Sequence, residues 1–390
     1  MKRIVFLILY LLLTCACAHA QVARDVTKEC SLAYDYRETP VKNMTDGDYK
    51  TAMEGKPAVY PQLVIKTGDT PVSSIYVEFG KNRQPFGVYL KQEGEWKRVA
   101  SCNAAHAQEY VTFPATTGTI RVRFDTARKA KRVDIAEVHL YSEGETPPAV
   151  HDWKATNEKT DLMVVVAHPD DELLWLGGTI PHYAAAGKKV TVVYLTCGDY
   201  FRELELLNGL WHCGVRNYPV LAGYRDFKPG STRGVYDDWG RVSVNYYLTT
   251  LIRTLRPEVV VTHDLKGEYG HPQHIVCAYT VERAVKFASQ AKYGTEEIEA
   301  VPVWNVKKLY VHLGDKPTTV MNWDVKETAF GGKSSFAVAS EAYAMHISQQ
   351  AGRTYEMAAK GSEYDAYVYT LAYTTVGADK KGGDFFENVP

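Results

Sequence analysis

Leu162-Met163-Val164-Val165-Val166-Ala167-His168-Pro169-Asp170-Asp171-Glu172 is the stretch that decides how the larger part of this chain folds. Its first six residues form an unbroken apolar run, as expected of a strand buried on both faces. Val190 to Thr196 and Val259 to Thr262 repeat that run, and helical stretches near 177–187, 202–214 and 243–256 lie between them. Alternation of this kind predicts an α/β fold, a Rossmann-like, mostly parallel sheet with helices on both faces, over residues 159–390.

Upstream the rhythm changes. Residues 22–145 alternate apolar and polar positions in short runs, Ile75 to Phe79, Ile120 to Phe124 and Ile135 to Tyr141, each bounded by turn residues. This predicts an all-β sandwich ahead of the α/β part. Gly144-Glu145-Thr146-Pro147-Pro148 is polar and proline-rich, so residues 146–158 are expected to be a semi-rigid linker. At the start, Lys2 and Arg3 precede the apolar run Ile4 to Leu13, and Ala18-His19-Ala20 supplies a small-x-small site. Residues 1–20 therefore read as a cleavable signal peptide and the protein as secreted or periplasmic, with lipidation at Cys15 or Cys17 as the alternative.

Composition narrows the partners. Across 390 residues the formal net charge is -1, with no basic block of the kind that holds nucleic acid or a membrane surface. The N-terminal apolar run is shorter than the ~20 residues of a membrane span. Five cysteines follow the predicted cleavage point, Cys30, Cys102, Cys197, Cys213 and Cys277, without a C-x-x-C pair. Cys30 and Cys102 fall in one half and could bridge after export; free thiols are the alternative. Oligomeric state is not legible.

Ligands of open α/β sheets bind at the carboxyl ends of the strands, and two polar clusters belong there. His168-Pro169-Asp170-Asp171-Glu172 directly follows the first buried strand, and Tyr269-Gly270-His271-Pro272-Gln273-His274 comes shortly after the strand ending near His263. Alone, each reads as an ordinary helix start, with acids at the positive end of the dipole or a proline in the first turn. Together they supply what a zinc hydrolase needs, three ligands from His or Asp with one position left for water. His168, Asp171 and His274 make such a set, leaving Asp170 and His271 for proton work.

These two clusters resemble the hallmark motifs of the PIG-L/LmbE-like deacetylase family. Gly177-Gly178, Thr196-Cys197-Gly198-Asp199, Arg202 with Glu205, Tyr224-Arg225-Asp226 and His346-Ile347-Ser348-Gln349 extend the likeness over about 160–355. The resemblance implies zinc, or another divalent ion, on His168, Asp171 and His274. It further implies Asp170 as general base, and His271, if cationic, with Tyr269 as stabilisers of the oxyanion. Arg202 and Asp226 would grip sugar hydroxyls, while Glu172, Glu205 and His346 read as structural. The implied reaction is removal of N-acetyl groups from an N-acetylglucosamine-type sugar in an extracytoplasmic glycan. Gln273 stands where the family pattern often has an acid, which bears on the support of a neighbouring histidine. Thr45 to Thr51, Trp96 and the strand Ile135 to Val138 resemble a discoidin-like, galactose-binding-like domain, which also allows glycan binding by the sandwich. Two other readings keep the same residues: a non-catalytic glycan-binding protein and an O-acetyl esterase.

Overall fold

The computed structural model describes residues 21–34, 39–40, 42–156, 159–350 and 356–390. The predicted signal peptide, with Cys15 and Cys17, lies outside the described residues, as do two positions of the expected linker. No helix among the described residues is long and apolar enough to cross a membrane.

The first half is one antiparallel sheet built from β1 (Ser31–Tyr34), β2 (Thr39–Pro40), β3 (Met53–Glu54), β4 (Gln62–Phe79), β5 (Phe86–Gln92), β6 (Glu95–Cys102), β7 (Gln108–Phe124) and β8 (Asp134–Tyr141). The strand order is β2-β1-β4-β7-β5-β6, and β8 pairs with the second half of β4 and with β3. The short runs read from the sequence at 75–79 and 120–124 are the ends of strands more than twice as long. Register slips between Lys66 and Ser74, with Gly68 and Gly118 at positive φ, break the alternation that marks a strand. Leu63, Ile65, Val77, Phe79, Val88 and Phe124 form its core. Cys30 and Cys102 are free thiols beside that core, so the bridge allowed by the sequence is not formed.

The second half holds a seven-stranded sheet of β9 (Leu162–Val166), β10 (Val190–Thr196), β11 (Val220–Tyr224), β12 (Val259–Thr262), β13 (Lys308–His312), β14 (Thr319–Val320) and β17 (Val368–Thr374), in the order β11-β10-β9-β12-β13-β17-β14. A small hairpin of β15 (Lys326–Glu327) and β16 (Lys333–Ser334) stands apart from it. Pairing is parallel from β11 to β13, and β17 is antiparallel to both its neighbours. The central strand β9 shows why its sequence is apolar throughout. Leu162, Val164 and Val166 enter the core beneath α1 (Asp171–Leu174), α2 (Thr179–Ala185), α3 (Tyr200–His212) and α8 (Ser335–Tyr343). Met163, Val165 and Ala167 enter the opposite core beneath α4 (Thr232–Trp239), α5 (Arg241–Leu255) and α6 (Pro272–Ala288). The short helices α7 (Glu296–Glu299) and α9 (Ile347–Gln350) complete the set.

The two sheets meet through polar groups. Buried Gln108, first residue of β7, accepts from Trp153 Nε1 at 2.8 Å and from His151 Nδ1 at 3.1 Å. Its amide donates to Glu78 at 2.6 Å and to Asn208 of α3 at 2.9 Å. Arg83 pairs with Glu203 at 3.0 Å across the same junction.

Candidate active site

The chain leaves β9 at its carboxyl end and places His168 there at once. Asp170 follows with φ 107° and ψ -29°, a backbone region that costs a non-glycine residue about 1–3 kcal/mol. Four hydrogen bonds hold the turn. The Asp170 N–H donates to Glu172 Oε2 at 2.9 Å, and its carbonyl accepts from Leu173 and Leu174 at the start of α1. Arg202 Nη2 donates to the Pro169 carbonyl at 2.8 Å. Asp170 therefore caps α1 through its backbone and keeps its carboxyl for the cavity.

Donor atoms of three side chains converge. His168 Nδ1 lies 3.0 Å from Asp171 Oδ2, His274 Nε2 lies 3.3 Å from Asp171 Oδ1, and the two imidazole nitrogens are 3.2 Å apart. Tetrahedral zinc with bonds of about 2.0–2.1 Å needs donors about 3.3 Å apart, which is close to the separation of the two imidazole nitrogens and of His274 Nε2 from Asp171 Oδ1. Among the described residues, the clusters close enough to hold an ion are His168 with His271 and His274, and Asp171 with His263 and His274. The far side of each ring is already committed. His168 Nε2 donates to Gln273 Oε1 at 2.8 Å and His274 Nδ1 to Glu268 Oε2 at 2.9 Å, which turns the remaining lone pairs towards the shared point. Gln273, placed where an acid was expected, thus fixes the orientation of the His168 ring.

Glu268 is the organising group that sequence reading missed. Fully buried, it also accepts from His263 Nδ1 and His312 Nδ1, each at 2.8 Å. Burial opposes its charge, yet the three histidines hold its carboxyl well below the usual range. His263 and His312 close the neighbouring strands β12 and β13, so position at a strand end was the available signal. Burial likewise works against a charge on Asp171, but His274, His168 and His263 keep it ionised.

Asp170 and His271 behave differently. Burial and the adjacent Asp171 push the Asp170 carboxyl up to about 7, against the pull of Arg202. His271 is pulled down to about 3 by burial and by the charges of His274 and His168, so its ring is neutral rather than cationic. Its Nδ1 has no partner among the described residues. The Tyr269 ring stands 5.7 Å from that of His271 and is largely exposed.

A cavity of about 390 Å³ joins these groups, lined by His168, Asp170, Asp171, Arg202, Asp226, Tyr269 and His271 together with Trp175, Ser348 and Gln349. His274 lies beneath it. Every site residue expected from the sequence is brought together. Arg202 and Asp226 pair at 2.8 Å, and Arg202 also approaches Asp170 at 3.5 Å. Glu205 is structural, bonding Ser348 and Tyr49. His346 is fully buried, with Nε2 3.4 Å from Glu172 Oε1, behind the Asp170 turn.

The family described as GlcNAc-PI de-N-acetylase (PIG-L) matches residues 163–285. A 1D-myo-inositol 2-acetamido-2-deoxy-alpha-D-glucopyranoside deacetylase of Mycolicibacterium smegmatis is 32% identical over 213 residues, covering 45% of this chain and 72% of that protein. A protein of the same description from Catenulispora acidiphila is 29% identical over 197 residues, 43% of this chain and 58% of its own. For the latter and for a Rhodococcus jostii counterpart, the chain spans about three fifths of the relative's length, 58% and 60%. Among solved structures, N,N'-diacetylchitobiose deacetylase from Pyrococcus horikoshii superposes with a TM-score of 0.40 and 20% identity, over 50% of this chain and 72% of that one.

Proposed function

This chain belongs to the PIG-L family, and from that premise we propose that it is a metal-dependent N-deacetylase acting on an N-acetylglucosamine-type sugar. The observation that carries the reading is that His168 Nδ1 and His274 Nε2 stand 3.2 Å apart, each within 3.3 Å of an Asp171 oxygen, with the Asp170 carboxyl beside them and not used for capping.

A divalent ion, zinc by the His-Asp-His donor set, would be held by those three side chains and would supply an acidified water and polarisation of the acyl carbonyl. The remaining steps belong to the protein. Asp170 takes the proton of the attacking water on its carboxylate and returns it to the departing amine, which leaves poorly unless protonated. Its environment suits both directions, since a carboxyl near neutrality gives up a proton almost as readily as it takes one. Neutral His271 donates a ring N–H, and Tyr269 its hydroxyl, to the oxygen on which negative charge grows. Arg202 braces the Asp170 turn through the Pro169 carbonyl, while Asp226 offers the oxygen not bound to Arg202, 3.8 Å from His168 Nε2, to a sugar hydroxyl.

The reading extends to context. The charged start, apolar run and Ala18-His19-Ala20 of the first twenty residues support export, and with it a glycan or glycoconjugate outside the cytoplasm as substrate. We read the N-terminal antiparallel sheet as a discoidin-like sandwich attached to the catalytic half.

The test is incubation of zinc-loaded protein with N-acetylated and O-acetylated sugars, following acetate and new amine together. Equal release of acetate and amine is expected. Acetate without amine would make the protein an esterase, and no acetate despite stoichiometric zinc would make it a binding protein.

A further inference from the structure

A second cavity, about 760 Å³, opens on the N-terminal sheet, far along the chain from the catalytic motifs. Its floor is the outward face of β5, β6 and β7. Phe86, Val88 and Leu90 turn inward to the core, so Gly87 and Tyr89 turn outward. Cross-strand register then places Arg123 and Ser101 on either side of Gly87, and Arg121 and Arg98 on either side of Tyr89. Arg128 reaches the same cavity from the loop after β7, and Tyr60 lines the opposite wall.

Four arginines thus share one face of a chain whose net charge is only -1. Like charges on adjacent strands destabilise a sheet, and acids usually offset them. Here no carboxylate lies within 4.0 Å of any of the four guanidinium groups among the described residues. Asp125, at the cavity edge, is turned to its own loop, accepting the Ala127 N–H at 2.8 Å. Three of the four arginines are held in place nonetheless. The Arg123 guanidinium stacks on Tyr89 at 4.6 Å and that of Arg121 on Trp96 at 4.1 Å. The Arg98 stem crosses Gly87 so closely that a Cβ there would stand 2.8 Å from Arg98 Cδ and 3.0 Å from the Tyr89 ring.

Fixed, unneutralised guanidinium forks are shaped to accept the paired oxygens of carboxylates and sulfates, and the tyrosine rings give apolar surface for a sugar ring. The cavity is within the range of small-ligand sites. We propose that this face binds an acidic saccharide, one carrying carboxylate or sulfate groups. The choice of a saccharide over other polyanions rests on the deacetylase reading; the preference for negative charge does not.

The test is calorimetric titration of the full chain with a uronic-acid tetrasaccharide, a sulfated tetrasaccharide, an uncharged N-acetylglucosamine tetramer and a single-stranded oligonucleotide of matched charge. At least one acidic tetrasaccharide is expected to bind, more weakly as salt rises. The double substitution Arg98→Gln, Arg123→Gln should weaken it by about tenfold or more at an unchanged melting temperature. Arg233→Gln, on exposed α4, should leave it unaltered. If the double variant unfolds, Arg128→Gln in the exposed loop takes its place with the same expectation. Binding that ignores these arginines, that is equal for the uncharged tetramer, or that is matched by the oligonucleotide overturns the proposal. Deacetylation lost with acidic binding intact would remove the reaction and leave this site; the reverse result would remove this site alone.

Discussion

Glu268 Oε2 sits 2.9 Å from His274 Nδ1, on the side of the ring that faces away from His168 and Asp171. A buried carboxylate in that position fixes which nitrogen of His274 carries the proton and makes the other a stronger ligand. Removing its charge while keeping its shape, Glu268→Gln, should lower zinc affinity about 10–100-fold with the fold intact. Competition against a chromophoric chelator measures this, and unaltered affinity would assign Glu268 to folding alone.

Asp170 and His274 should fail in opposite ways. Asp170→Asn is expected to retain one zinc per chain by atomic emission while turnover drops about 100-fold or more, because the base is gone and the ligands remain. His274→Ala should lose the metal, and activity with it. Comparable turnover in Asp170→Asn would mean that another group moves the proton.

The strained backbone of Asp170 depends on Glu172. Its Oε2 accepts the Asp170 N–H, and its other oxygen approaches His346 inside the core. Glu172→Leu should therefore cut kcat by about tenfold with zinc content preserved, whereas Glu172→Gln, which keeps an acceptor, should restore most of it. A loss of zinc in step with kcat would show that Glu172 merely supports the ligand loop.

Acid should loosen the junction between the sheets. Burial, with help from Arg216, pulls His151 down to about 4 from 6.5, so the folded protein holds it neutral where the unfolded chain would protonate it. The unfolded state binds more protons between those values, and stability must rise with pH across that window and fall as pH drops through it. The contribution is at most about 3 kcal/mol over the whole interval. Urea titrations at pH 4.5 and 7 should show a smaller difference for His151→Asn than for the unmodified protein; identical differences would exclude His151 as the source.

The readable parts of this molecule were those where one local signal sufficed. Val190–Thr196 and Val259–Thr262 appear as strands with the expected ends because each is largely apolar, buried along its whole length and enters two cores, and α6 begins at Pro272 as its proline requires. Helix α3 starts at Tyr200, two residues before the expected 202, since the Asp199 carbonyl accepts the Arg202 N–H and closes the first turn. The site residues were legible because their two motifs are contiguous in sequence. Glu268, His263 and His312 were not, for a physical reason: each gains its role from a partner 5 to 44 positions away, and isolated polar residues at strand ends carry no periodic mark. The neutral state of His271 was also hidden, since it depends on burial and on charges brought close only by folding.

Gln108 uses all four hydrogen-bonding positions of its amide, and three of its partners belong to segments that follow the N-terminal sheet or lie within α3. A chain shortened to begin at residue 159 would leave Asn208 of α3 without Gln108 and Glu203 without Arg83, and would expose the face they occupy. The α/β half has become a tenant of its neighbour. The two should melt in a single cooperative transition, and a gene fragment encoding residues 159–390 alone should yield insoluble protein unless that helix face is redesigned for water.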